Sequence, residues 1–253
     1  MDAITTSLTV ATCVFTGGLV GLNLHRFLPQ AHLTKETQEV VRLGTGMLSV
    51  LASLVLGLLV ATAKRSYDTT DSAIRGYAAE LALLNETLRD YGASAGVPHD
   101  LPRRYAEKVL HDAWPTDGRR APAIDDENAG QLLEQMRGSI RELKPVDDGQ
   151  KWLQDQALII NVNLLRQRWL LIEQGEPSVQ KMVLIVLVAW VTMIFVSFGL
   201  NAPRNSTVVT AFLFSSLAIG GAIFLILEMD RPLGGVMPVS SWPMENVLLH
   251  MDW

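Results

Sequence analysis

One cysteine, Cys13, is present in 253 residues. That excludes an intrachain disulfide and any metal centre built from cysteines. The five histidines, His25, His32, His99, His111 and His250, come no closer to one another than seven residues. None has the spacing that places two ligands on one helix face. Phosphate-cradling loops, nucleophile elbows and zinc motifs are missing as well. We therefore expect no enzyme, no cofactor and no resident metal. Period-two alternation of apolar and polar residues is nearly absent, so strands are not expected. The net charge is −5 and the chain lacks a basic patch, so nucleic acid is not an expected partner.

Charge is also missing, and unevenly so. Residues 64–180 hold 15 Lys and Arg and 19 Asp and Glu, whereas the other 136 residues hold only 6 and 7. Four runs carry none: Ala3–Leu24, Leu43–Ala63, Met182–Pro203 and Asn205–Leu227. Each has the roughly 20 residues a helix needs to cross about 30 Å of hydrocarbon. The first run is read as a retained span, because its leading residues carry Asp2 and no Lys or Arg. The expected fold is all-α, a polytopic membrane protein with four transmembrane helices. A cytoplasmic helical insertion lies between the second and third. Residues 1–65 would form one transmembrane hairpin, 66–180 the cytoplasmic segment, and 181–253 a second hairpin with a short cytoplasmic tail.

Orientation follows from cations at the span ends. Lys64, Arg65, Arg75, Arg166, Arg168, Lys181 and Arg231 flank one side; Arg26, Lys35, Arg42 and Arg204 flank the other. The excess places both termini and the middle segment in the cytoplasm. Within that segment, Ile74, Tyr77, Ala78, Leu81, Leu84, Leu88 and Tyr91 recur at three- and four-residue steps, as on one helix face. Asp71 is the expected N-cap and Gly92 the stop. Further helices are expected at about Pro98–Ala113, Gly130–Leu143 and Asp147–Glu173, with a loop over Thr116–Ala123.

Several stretches together resemble a known family: RLGTGMLSVLASLVLGLLVATAKRSYDTTDS (42–72), LALLNETLRDYG (81–92), RQRWLLIEQ (166–174), VSFGLNAPRNSTVVTAFLF (196–214) and GGAIFLILEMDRP (220–232). The chain is similar to the bestrophin-like membrane proteins, mostly bacterial and grouped under a domain of unknown function. The resemblance is collinear and covers most of the chain. It implies a four-span protein of the bacterial inner membrane that forms homo-oligomers. A looser step to true bestrophins, which are pentameric anion channels, implies an ion channel. The chain departs from bestrophins in having no aromatic residue in its second span and no calcium-clasp acidic cluster. Gly234-Gly235 and Trp242-Pro-Met-Glu245 depart from the family pattern too.

Three groups of residues are candidates for function. In the first span, Thr5, Thr9, Thr12, Thr16 and Asn23 fall on one face; in the second, Ser49, Ser53, Gly57 and Ala61 are each four apart. Hydroxyl faces can replace ion hydration in a pore, and small faces let helices pack closely; both readings stay open. Lys64, Arg65, Glu228, Asp230 and Arg231 are expected at one membrane depth, as ion pairs between helix ends or as charges at a cytoplasmic mouth. Pro203, Arg204 and Asn205 make an external hairpin or an anion-attracting ring. Besides the lipid bilayer, a permeant ion and further copies of the chain are the expected partners. The competing reading is a membrane-anchored interaction or signalling scaffold that acts through the cytoplasmic helices.

Overall fold

The computed structural model describes residues 3–24, 34–92, 100–115, 125–175, 179 and 181–251. Among these residues every regular element is a helix: α1 (Ala3–Leu24), α2 (Lys35–Tyr91), α3 (Asp100–Ala113), α4 (Glu127–Glu142), α5 (Asp148–Gln174), α6 (Lys181–Asn201), α7 (Ser206–Met229) and α8 (Trp242–His250). Four of them, α1, α2, α6 and α7, are long and apolar enough to cross a membrane. His25, His32, His99, Arg26, Pro98 and the expected loop over 116–123 lie outside the described residues.

The chain divides into two compact units. The first comprises Met1–Ser66 and Pro177–Asp230, and the second Tyr67–Glu176 and Arg231–Trp253. In the first unit α1 packs on both α6 and α7. The membrane part of α2 joins the same core through Ala52, Leu59 and Ala63, which fall in near-heptad steps. Thr45 and Ser197 add a hydroxyl–hydroxyl bond of 2.7 Å between α2 and α6.

The second span and the following amphipathic stretch were expected as separate helices, the latter capped by Asp71. They are one helix of 57 residues, about 85 Å long at 1.5 Å per residue. Asp71 lies inside it and its carboxylate accepts from Arg75 Nε at 2.9 Å, one turn on. The reason is local. Between Gly57 and Gly76 the chain has neither glycine nor proline, so nothing interrupts the ladder. The stop at Tyr91 has a clear cause: Gly92 takes φ +100°, a conformation costly for any residue with a Cβ.

The second unit has its own core. The apolar face of α2 from Ile74 to Tyr91 meets Leu101 and Tyr105 of α3, Leu133 and Met136 of α4, and Ile160 and Leu164 of α5. Asp126 caps α4 by accepting from Asn128 N at 2.7 Å, and Asp147 caps α5 by accepting from Gln150 N at 2.7 Å. The C-terminal segment belongs to this core. Val239, Met244, Val247 and Met251 are all buried in it. Trp114 Nε1 donates to the Val239 carbonyl at 2.8 Å.

Candidate functional site

Glycine makes the close contacts of the first unit. The buried face of α1 runs Ser7, Val10, Ala11, Val14, Gly17, Gly18, Gly21 and Leu22. A Cβ at Gly17 would stand 2.8 Å from Thr192 Cγ2, and one at Gly18 would stand 2.8 Å from the Phe212 ring. A Cβ at Gly199 of α6 would overlap α1 backbone, 2.7 Å from Leu22 N. At Gly220 of α7 it would meet Ala11 Cβ at 2.9 Å. These small residues let backbones approach where lipid gives no hydrophobic drive to hold helices together.

With that face of α1 occupied, its opposite face is outward. Thr5, Thr9, Thr12, Thr16 and Asn23 are all exposed in the protomer. Thr9 donates its hydroxyl proton to the Thr5 carbonyl at 2.7 Å and Thr12 to that of Leu8 at 2.8 Å. The small face of α2 is outward as well. Ser49 is half-buried, Ser53, Gly57 and Ala61 are exposed, and a Cβ on Gly57 would meet nothing within 4 Å. Ser49 and Ser53 also donate to carbonyls one turn back, each at 2.8 Å. The apolar window of α2 is only 17% buried, against 39% for α1. Thus α2 is the span least covered by its own protomer.

Arg204 has a definite partner. Its Nε and Nη2 donate to the Leu22 carbonyl at 3.0 and 2.7 Å. Leu22 lies in the last turn of α1, where carbonyls lack intrahelical donors and the helix dipole favours a cation. Pro203 falls just after α6, and Asn205 Oδ1 caps α7 by accepting from Val208 N at 2.9 Å. Arg204→Gln should lower stability by about 1 kcal/mol, reduced by solvent screening of an exposed group. Thermal melting in detergent checks this, with Arg204→Lys expected to lose less.

At the other end of α7 the acids are inside. Glu228 is 4% exposed and Asp230 5%. Asp230 Oδ1 accepts from Val179 N at 3.1 Å in a buried setting. Val179 lies two residues before α6, so a carboxylate at the C-terminal end of α7 serves the N-terminal end of α6. There the dipole favours negative charge. Lys64, Arg65 and Arg231 are exposed.

The second unit buries a cation, at a position the sequence marks only as a flanking charge. Arg168 of α5 is 5% exposed, and its Nη2 donates to the Asp126 carbonyl at 2.6 Å. The Asp126 carboxylate itself takes Lys108 Nζ at 3.2 Å. Burial works against the charge on Asp126, yet Lys108 and the N–H groups of Asn128 and Ala129 hold its pKa below the usual carboxylate value. Near Arg168 the hydroxyls of Tyr77 and Tyr105 bond to each other.

A family model described as the Bestrophin-like domain matches residues 11–244. The chain belongs to the Bestrophin-like family. No curated protein matches it. Among solved structures, a point variant of a bacterial bestrophin homologue from Klebsiella pneumoniae superposes with a TM-score of 0.67 at 16% identity, over 99% of this chain and 98% of that one. A second structure of a Klebsiella pneumoniae bestrophin homologue gives 0.68 at 13% identity, over 96% and 97%. At such identities the likeness is one of fold. For a Bestrophin-like membrane protein, the residues that sequence reasoning did not single out are Gly199, Gly220 and Arg168. The two glycines look like any small residue in an apolar run. Arg168 falls on the same three- and four-residue stripe as Ala157, Ile160, Leu164 and Leu171, a signal that could have found it.

Proposed function

We propose that this Bestrophin-like protein is an oligomeric ion channel of the bacterial inner membrane, with residues 66–180 and both termini cytoplasmic. The observation that carries the reading is the pair of outward faces, Thr5–Thr16 on α1 and Ser49–Ala61 on α2, in a protomer of this family. Faces of small and hydroxyl residues suit packing against further copies and, where copies leave a gap, lining a path for ions. Anions are the favoured cargo. Glu228 and Asp230 are withdrawn into the protomer, whereas Lys64 and Arg65 stay exposed. Cations exposed at a pore mouth would draw anions.

One observation favours cations instead. The hydroxyl protons of Thr9, Thr12, Ser49 and Ser53 are committed to carbonyls of their own helices, which leaves lone pairs turned outward. Lone pairs coordinate cations. Purified protein in planar bilayers under a salt gradient separates the two by the sign of the reversal potential. Thr12→Leu or Ser53→Leu should reduce unitary conductance, and Lys64→Glu with Arg65→Glu should move the reversal potential towards cations. If wild type carries no current at any voltage, the channel reading fails and the membrane-anchored scaffold replaces it.

A further inference from the structure

We propose that a pocket between α2 and α6 in the first unit binds the headgroup of an aminophospholipid, with its phosphate at Arg42 and its ammonium at Glu39. The pocket has about 490 Å³, within the roughly 300–1,000 Å³ of small-molecule sites. Its α2 wall carries Lys35, Glu39 and Arg42, and Phe198 supplies an apolar wall from α6. Thr45 and Ser197, bonded to each other at 2.7 Å, line the end nearer the hydrocarbon.

Three observations meet there. The first is depth. Arg42 is the last charge before the charge-free run Leu43–Ala63, and Asn201, which also lines the pocket, ends α6. The pocket therefore opens where hydrocarbon gives way to headgroups. The second is open charge. Glu39 stands four residues from Lys35 and three from Arg42, spacings that pair opposite charges on a helix. Yet none of the ion pairs among the described residues includes any of the three. All three are exposed and line the pocket as separate charges.

The third is order. From the hydrocarbon outward, α2 presents apolar residues, a cation at Arg42, an anion at Glu39 and a cation at Lys35. A phospholipid with an amine presents acyl chains, a phosphate and an ammonium in matching sequence. Arg42 and Glu39 are three residues apart, about 4.5 Å along the helix axis. That is the reach of the two-carbon bridge between phosphate and amine. A guanidinium suits phosphate oxygens by its two-pronged geometry. The chains find a surface as well. Leu43, Met47, Val50 and Leu54 follow at four-, three- and four-residue steps, and each is 69–73% exposed. A glycerol headgroup offers Glu39 no positive charge, and inorganic phosphate leaves both Glu39 and Phe198 unused. Lys35 lies one turn beyond Glu39, where a serine headgroup carries its carboxylate. The proposal rests on the four spans and not on conduction, so a protein that carries no current still tests it.

The test uses the full-length protein in detergent, melted with short-chain phosphatidylethanolamine, phosphatidylserine or phosphatidylglycerol, or with free phosphoethanolamine. At tenfold its dissociation constant, the ethanolamine lipid should raise the melting temperature by about 3 °C or more over an equal concentration of the glycerol lipid. Glu39→Gln should erase that difference, and Arg42→Gln should abolish the rise. Lys35→Gln should weaken the serine lipid and spare the ethanolamine one. Arg103→Gln, which removes an exposed cation paired with Glu107 in the second unit, should change neither. Equal rises with all three lipids, or an ethanolamine preference that survives Glu39→Gln, would overturn the proposal. A rise with free phosphoethanolamine as large as with the lipid would overturn the lipid source and assign the pocket to a soluble ligand.

Discussion

Gly199→Leu should leave little or no folded protein, the largest loss expected of any single substitution in the first unit. At Gly199 even the first side-chain carbon would stand inside the backbone of α1, at Leu22 N and the Gly21 carbonyl carbon. Backbone cannot rotate away as a side chain can, so α1 and α6 must separate. Separation would also pull Gly17 and Gly21 from α6 and break the guanidinium bonds from Arg204 to Leu22. We expect about 3 kcal/mol or more of destabilisation. It would be read as loss of the monodisperse peak in detergent and of the cooperative melt. Gly221 of α7 is the control, since a Cβ there meets nothing within 4 Å. Gly221→Leu should keep the melting temperature within about 2 °C. Equal damage at both positions would show that the packing of α1 on α6 is not what the substitution tests.

Asp230→Ala should destabilise the protein by about 2 kcal/mol, because it removes a charged acceptor and leaves the Val179 N–H buried without its partner. Asp230→Asn retains an oxygen at the same place and gives up only the charge, so its loss should be roughly half as large. Melting curves of the three proteins, at one pH and salt, order them wild type, Asn, Ala. Identical melting of all three would mean that this bond does not hold the start of α6. The experiment also bears on conduction. A buried Asp230 that secures α6 should alter ion selectivity little, whereas a residue ringing a mouth would alter it strongly.

The four spans were legible because absence of charge over about 20 residues is a demanding pattern, and few alternatives satisfy it. The apolar face Ile74–Tyr91 was legible for the same kind of reason, since its period admits one reading. The continuity of α2 was legible only in the lack of glycine and proline between Gly57 and Gly76. Asp71 has the composition of a helix start, and the sequence does not reveal that its carboxylate turns to Arg75 instead. Nor do small residues announce their partner. Gly17 and Gly21 lie against α6 while Gly57 lies outward, though each belongs to a similar four-step pattern. The place of residues 239–251 in the second core was hidden too. The contacts of α8 to α3 span more than a hundred residues of chain, and no local period encodes such a distance.

That last feature sets an order of events during synthesis. Val239, Met244, Val247 and Met251 complete a core whose other walls are α2 through α5. They leave the ribosome only after α6 and α7 have been made. The helices of the second unit must therefore wait, with part of their apolar surface open, while two membrane segments are being inserted. A nascent chain stalled or cut before residue 239 would present that surface permanently, as a ready signal for chaperones and proteases.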